Sequence, residues 1–98
     1  MTPRDSNNQS IGEVIKELLR HYHLEGKLSQ ARIIEAWPKV AGEMITRHTR
    51  DLYIKGRTLF VKLDSPALKN ELGYSKSKII LELNKEAGGE VIKALVFS

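Results

Sequence analysis

The sequence predicts an α+β fold with the element order helix, helix, strand, strand, helix, strand. Three observations carry that reading. A glycine-centred alternation at residues 52–63, LYIKGRTLFVKL, reads as a β-hairpin. Apolar residues at helical spacing flank it on both sides. A β-branched, apolar stretch from Val91 to Phe97 follows the last helical stripe. A three-stranded sheet with helices on one face is the simplest arrangement that buries all of these stripes.

The elements follow in order. Residues 1–9 are polar and aperiodic and read as a loose tail, leaving residues 10–98 as a single domain. Ser10 and Glu13 form a capping box at a helix start. Ile11, Val14, Ile15, Leu18, Leu19 and Tyr22 then paint one helical stripe, and Gly26 marks the turn after it. A second helix is expected from Leu28 or Ser29. Its apolar side is Leu28, Ala31, Ile34, Trp37, Val40, Ala41 and Met44. Pro38 cannot donate back to Ile34, so either a kink at Trp37 or a new helix with Pro38 in its first turn is expected. Gly42 loosens the next turn.

The hairpin pivots on Gly56-Arg57, because glycine accepts the positive φ that a tight turn requires. Counting outward sets Ile54 opposite Leu59 and Leu52 opposite Val61, an apolar face. The other face pairs Tyr53 with Phe60, Lys55 with Thr58, and Asp51 with Lys62. Beyond it, Ser65 caps a helix that has Pro66 in its first position. Leu68, Leu72, Ile79, Leu83 and Ala87 continue one stripe. Gly73 is a candidate break into two helices, and Gly88-Gly89 ends the element. In the last strand, Val91, Leu95 and Phe97 share a side with Lys93. Ile92, Ala94 and Val96 share the other, and the reading favours Leu95 and Phe97 inward.

Composition narrows the function. The chain has 98 residues, 41% of them hydrophobic, which is enough for one core without metal or disulfide help. The absence of cysteine excludes disulfides and thiolate metal sites and fits a reducing compartment. No apolar run approaches the ~20 residues of a membrane span. The N-terminal MTPRDSNNQ lacks the apolar segment of a secretory signal, so a cytoplasmic protein is expected. The net charge of +4 permits an anionic partner without demanding one. No phosphate-binding loop, dinucleotide fingerprint or hydrolytic triad motif is present. His21-x-His23 sits at a helix end, where residues two apart diverge, and His48 stands alone, so no metal site is expected. No catalytic residue, cofactor or small-molecule substrate is implied.

The basic signal is stronger. Arg47, Arg50, Lys55, Arg57 and Lys62 face a single acid, Asp51, across residues 47–62. Cations gathered on one surface suit phosphate. Lys69, Lys76 and Lys78 extend the patch if the following helix starts beside the hairpin. Tyr53 and Phe60 offer rings for bases or a protein partner, or they merely steady the sheet. Trp37 is either a core anchor or a partner contact.

AWPKVAG (Ala36 to Gly42), RHTR (Arg47 to Arg50) and LYIKGRTLFVKLDSPA (Leu52 to Ala67) resemble the DciA family. The similarity continues through Glu71-Leu72, Lys78-Ile79-Ile80 and Leu83-Asn84, and covers most of the chain from about Ile11 to Phe97. The resemblance implies a K-homology-like domain, in the arrangement helix, strand, strand, helix, strand. It also implies contact with the replicative DNA helicase and with DNA, and no ATPase activity. The residue matching Trp37 is a signature of the family. One departure is visible. The G-x-x-G loop of nucleic-acid-binding K-homology domains is represented by Gly73-Tyr74-Ser75-Lys76, with Lys76 in place of the second glycine. Lys76 is kept as a phosphate contact.

The leading expectation is therefore a non-enzymatic accessory of DNA replication that binds helicase and DNA. Two alternatives stand beside it. One is a stand-alone module for RNA or single-stranded DNA. The other is a protein adaptor without nucleic-acid binding, using Tyr53, Phe60 and a sheet edge.

Overall fold

Gly56 takes φ 64° at the hairpin turn, and the strands on either side pair in the register the alternation sets. The computed structural model describes residues 10–21 and 25–98. The expected tail, Tyr22 and His23 lie outside them. Strands β1 (Thr49–Lys55) and β2 (Thr58–Leu63) are antiparallel, with Leu52 opposite Val61, Tyr53 opposite Phe60 and Ile54 opposite Leu59. Strand β3 (Ala94–Phe97) runs parallel to β2 on its other side, so β2 is the central strand of three.

Five helices accompany the sheet: α1 (Ile11–His21), α2 (Glu25–Ala41), α3 (Glu43–Arg47), α4 (Pro66–Gly73) and α5 (Lys76–Ala87). The capping box forms, with the Glu13 N–H donating to Ser10 Oγ at 3.1 Å. Ser65 Oγ accepts from the Leu68 N–H at 3.2 Å, and Pro66 opens α4. The candidate break at Gly73 is real. Tyr74 and Ser75 separate α4 from α5, and Gly88 caps α5.

The core lies between one face of the sheet and helices α2 and α5. Ile33, Trp37, Leu59, Val61, Leu83 and Ile92 are its large, fully buried members, joined by Leu63 and Leu95. Leu95 and Phe97 point to this side, as the strand pattern favoured, and Phe97 packs at its margin.

Four expectations are corrected. Gly26 lies inside the first turn of α2 instead of in the turn before it. Helix α2 continues through Pro38, so of the two alternatives the new helix at Pro38 is ruled out; α3 begins instead after Gly42, at φ 93°. A proline inside a helix costs roughly 3 kcal/mol, whereas burying a large apolar side chain returns about 1.5–3 kcal/mol. Burial of Ile33, Ala36 and Trp37 on one side of α2 outweighs the penalty. That buried side is also rotated from the expected one, since Leu28, Ala31 and Met44 are exposed. Third, β3 is shorter than the apolar run. Residue Ile92 precedes it, escapes the alternation and is fully buried. Asn84 holds it there, accepting from the Val91 and Ile92 N–H groups, each at 3.0 Å, and donating to the Ile92 carbonyl at 2.9 Å. Last, the described members of the α1 stripe are not buried: Ile11, Val14, Ile15 and Leu18 are all exposed.

Candidate nucleic-acid interface

The core helices α2 and α5 lie on one side of the sheet, and among the described residues Tyr53, Lys55 and Lys62 stand exposed on the other. Alternation along β1 and β2 then decides what that side shows. Tyr53 and Phe60 stack there, with ring centroids 5.0 Å apart and planes 11° from parallel. Tyr53 is 48% exposed, and Val96 from β3 extends the apolar strip beside Phe60. Lys55 and Lys62 stand exposed on the same face, one on each strand. Asp51, opposite Lys62, turns its carboxylate to the Leu52 N–H at 2.9 Å. The face is thus a small aromatic platform between two cations. Such a surface accepts a base by stacking and a phosphate by charge.

The other basic residues do not join it. A bulge interrupts the ladder: Thr49 pairs with Leu63 and Asp51 with Lys62, so Arg50 is the extra residue. Bulges re-aim side chains. Here Arg50 meets Asp64, just past the end of β2, in an ion pair. His48 Nδ1 lies 2.7 Å from the other oxygen of Asp64. A carboxylate only accepts, so Nδ1 carries the proton in this contact. The His48 hydrogen bond, with Arg50 adding a second hydrogen bond and its charge, lowers the Asp64 pKa below the ordinary 3.8 despite partial desolvation. Asp64 was not read as part of the site. Extending the hairpin register past Leu63 would have brought it to His48.

Arg57 is also engaged. Its guanidinium donates to the Glu90 carbonyl, and its Nε–H reaches the Val91 carbonyl at 3.4 Å. It fastens the hairpin turn to the segment that leads into β3. Arg47 is exposed at the end of α3, and Lys76 opens α5 with its ammonium 6.0 Å from the centroid of Phe97. The five cations of residues 47–62 therefore separate: Lys55 and Lys62 share the outer sheet face, while Arg50 and Arg57 tie the fold together.

Trp37 is a core residue, 1% exposed, and shows no surface to a partner in this structure. Its indole N–H donates to Thr49 Oγ1 at 3.1 Å, and the Thr49 hydroxyl donates to the Ile45 carbonyl at 2.8 Å. The bulge makes this bond available. Simple alternation would turn Thr49 outward with Asp51, and the extra residue turns it inward.

The molecule is thus an α+β domain with helices on one face of a three-stranded sheet and an open aromatic and cationic face on the other. The family model described as Dna[CI] antecedent, DciA, matches residues 10–97. The chain belongs to the DciA family, which is associated with loading of the replicative helicase. It is similar to a UPF0232 protein from Rhodococcus jostii (strain RHA1), 25% identical over 93 residues, covering 95% of this chain and 50% of that protein. The chain thus spans about half the length of that relative. No described helix is long and apolar enough to cross a membrane.

Proposed function

We propose that this chain is a cytoplasmic, non-enzymatic accessory of DNA replication that binds the replicative helicase and DNA and helps load or operate the helicase. The family match across residues 10–97 carries the helicase half of that reading. The Tyr53–Phe60 stack between Lys55 and Lys62 supports the DNA half. A K-homology-like arrangement of the domain belongs to the same reading, and the observed element order supports it. In this mechanism the domain acts by position. One surface grips the helicase while the open sheet face holds a strand close by, and no bond of the substrate is made or broken.

The test is a pull-down with the cognate replicative helicase, using the folded domain at tens of micromolar. A stable complex is expected, and its absence would overturn the helicase assignment. A second arm titrates a fluorescent oligothymidine into the domain. Replacing Lys55 and Lys62 with Glu should weaken binding about tenfold at ~50 mM salt and flatten its salt dependence, because each lost phosphate contact releases fewer counterions. Oligothymidine binding without a helicase complex would favour the stand-alone module. A helicase complex without any oligothymidine binding would favour the adaptor.

A further inference from the structure

We propose that the free edge of β3, together with the groove beside α5, is a docking site for an extended acidic segment of a partner protein, which adds as a fourth strand. This stands apart from the aromatic face and does not depend on it.

The argument starts from the ladder. In a parallel pair, alternate residues direct both backbone groups at the neighbour. Ala94 donates to the Arg57 carbonyl at 3.3 Å, and Ser98 both donates to the Val61 carbonyl at 3.0 Å and accepts from the Leu63 N–H at 2.9 Å. With the register Phe60 to Val96, residues Ala94, Val96 and Ser98 face β2. Leu95 and Phe97 must then aim their N–H and C=O groups away from it. Among the described residues no strand lies on that side.

The two sheet edges are not equivalent. The β1 edge is broken by the bulge at Arg50, a feature that turns an edge away from pairing. The β3 register is unbroken from Ala94 to Phe97. It is short, and an incoming strand needs side-chain pockets beside it to gain affinity and selectivity.

The structure supplies one. Helix α5 is tied to Phe97 of β3 by Lys76 and, through Asn84, to Val91 and Ile92 just before the strand. Ser77, Leu81 and Lys85 recur at helical spacing on the side of α5 away from α2. With Ile80, Ile92 and Lys93 they line an open groove of about 650 Å³. Leu81, in this groove, is 60% exposed, a large apolar side chain without cover. The lining ends at Lys93, the residue before β3, so a strand paired with β3 and continuing past its start would direct alternate side chains toward the groove.

Charge selects the occupant. Lys85 and Lys93 border the groove, and neither is in an ion pair among the described residues. The one acid in the lining is Glu90, against these two lysines. The surplus of cations fits a segment that alternates apolar and acidic residues.

The experiment uses the whole chain and a short synthetic peptide alternating leucine and glutamate. Saturable binding is expected at low salt, with the Leu95 and Phe97 amides gaining protection from hydrogen exchange. Leu81→Glu should weaken binding about tenfold. The paired variant Lys85→Glu/Lys93→Glu should do so while leaving the groove floor intact, which keeps the test valid if Leu81→Glu disturbs the fold. Absence of binding would overturn the proposal, as would binding that leaves those two amides exchanging as in the free chain. Equal binding of a second peptide alternating leucine and lysine would overturn the acidic occupant. Protection that rises with protein concentration in the absence of peptide would assign the edge to a second copy of this chain and overturn the partner.

Discussion

Leu59 and Phe60 are neighbours in β2, yet Leu59 is fully buried beneath the helices while Phe60 lies on the other side of the sheet, stacked on Tyr53. The same division runs along the hairpin. Leu52, Ile54, Leu59 and Val61 belong to the core or pack against it, whereas Tyr53, Lys55, Phe60 and Lys62 form the outer face. One backbone thus serves two purposes, and the strand period keeps them apart. The lesson is that core and outer face here are separable by mutation.

The strongest challenge to that separation comes from the inner face. Leu59→Ala should cost roughly 2–5 kcal/mol, since it removes buried methyl groups and leaves a void between sheet and helices. Denaturant unfolding measures it. A loss below about 1 kcal/mol would mean that the site collapses as easily as a surface position.

The outer face should respond more weakly in stability and more strongly in binding. A double-mutant cycle with Tyr53→Ala and Phe60→Ala should give a coupling of about 0.5–1.5 kcal/mol, the usual value of an aromatic pair beyond its buried area. Oligothymidine affinity should fall in both single variants. Unaltered affinity would reduce the pair to a cross-strand brace.

The smallest effect is expected at the margin between the faces, where Asp64 joins His48 and Arg50. Its pKa is lower in the folded chain than its ordinary 3.8. A depressed carboxylate contributes stability that is present above the unfolded pKa and is lost as pH falls through the folded one. Asp64→Asn should therefore lower the melting temperature slightly near neutral pH. The difference from the wild type should close below pH 3.8. A gap that persists in acid would show that the contact acts through shape and not through charge.

Much of this architecture could be read from the chain before its coordinates. The hairpin register was legible because a single glycine fixes the turn and two-residue alternation does the rest. Helix starts were legible at Ser10 and Ser65 because caps are local chemistry. What escaped was non-local. Arg57 looked like a free cation, and only the approach of Glu90 and Val91, far along the chain, shows it tied down. The bulge at Arg50 left no trace in the alternation, so both the inward turn of Thr49 and the contact with Asp64 were invisible. Trp37 stood open between core and contact because its bond to Thr49 depends on that bulge. The exposed stripe of α1 was misplaced for a related reason. Periodicity reports that a helix has an apolar side, and not whether anything covers it.

The chain holds one tryptophan, sealed between Thr49 and Phe97 and 1% exposed. Nature has placed a single optical reporter where only collapse of the interior can wet it. Ultraviolet emission from the unlabelled polypeptide will redden when the fold opens and stay unchanged when a ligand settles on the far side of the sheet. Any variant can therefore be sorted, in one cuvette, into those that dissolve the scaffold and those that merely lose their grip.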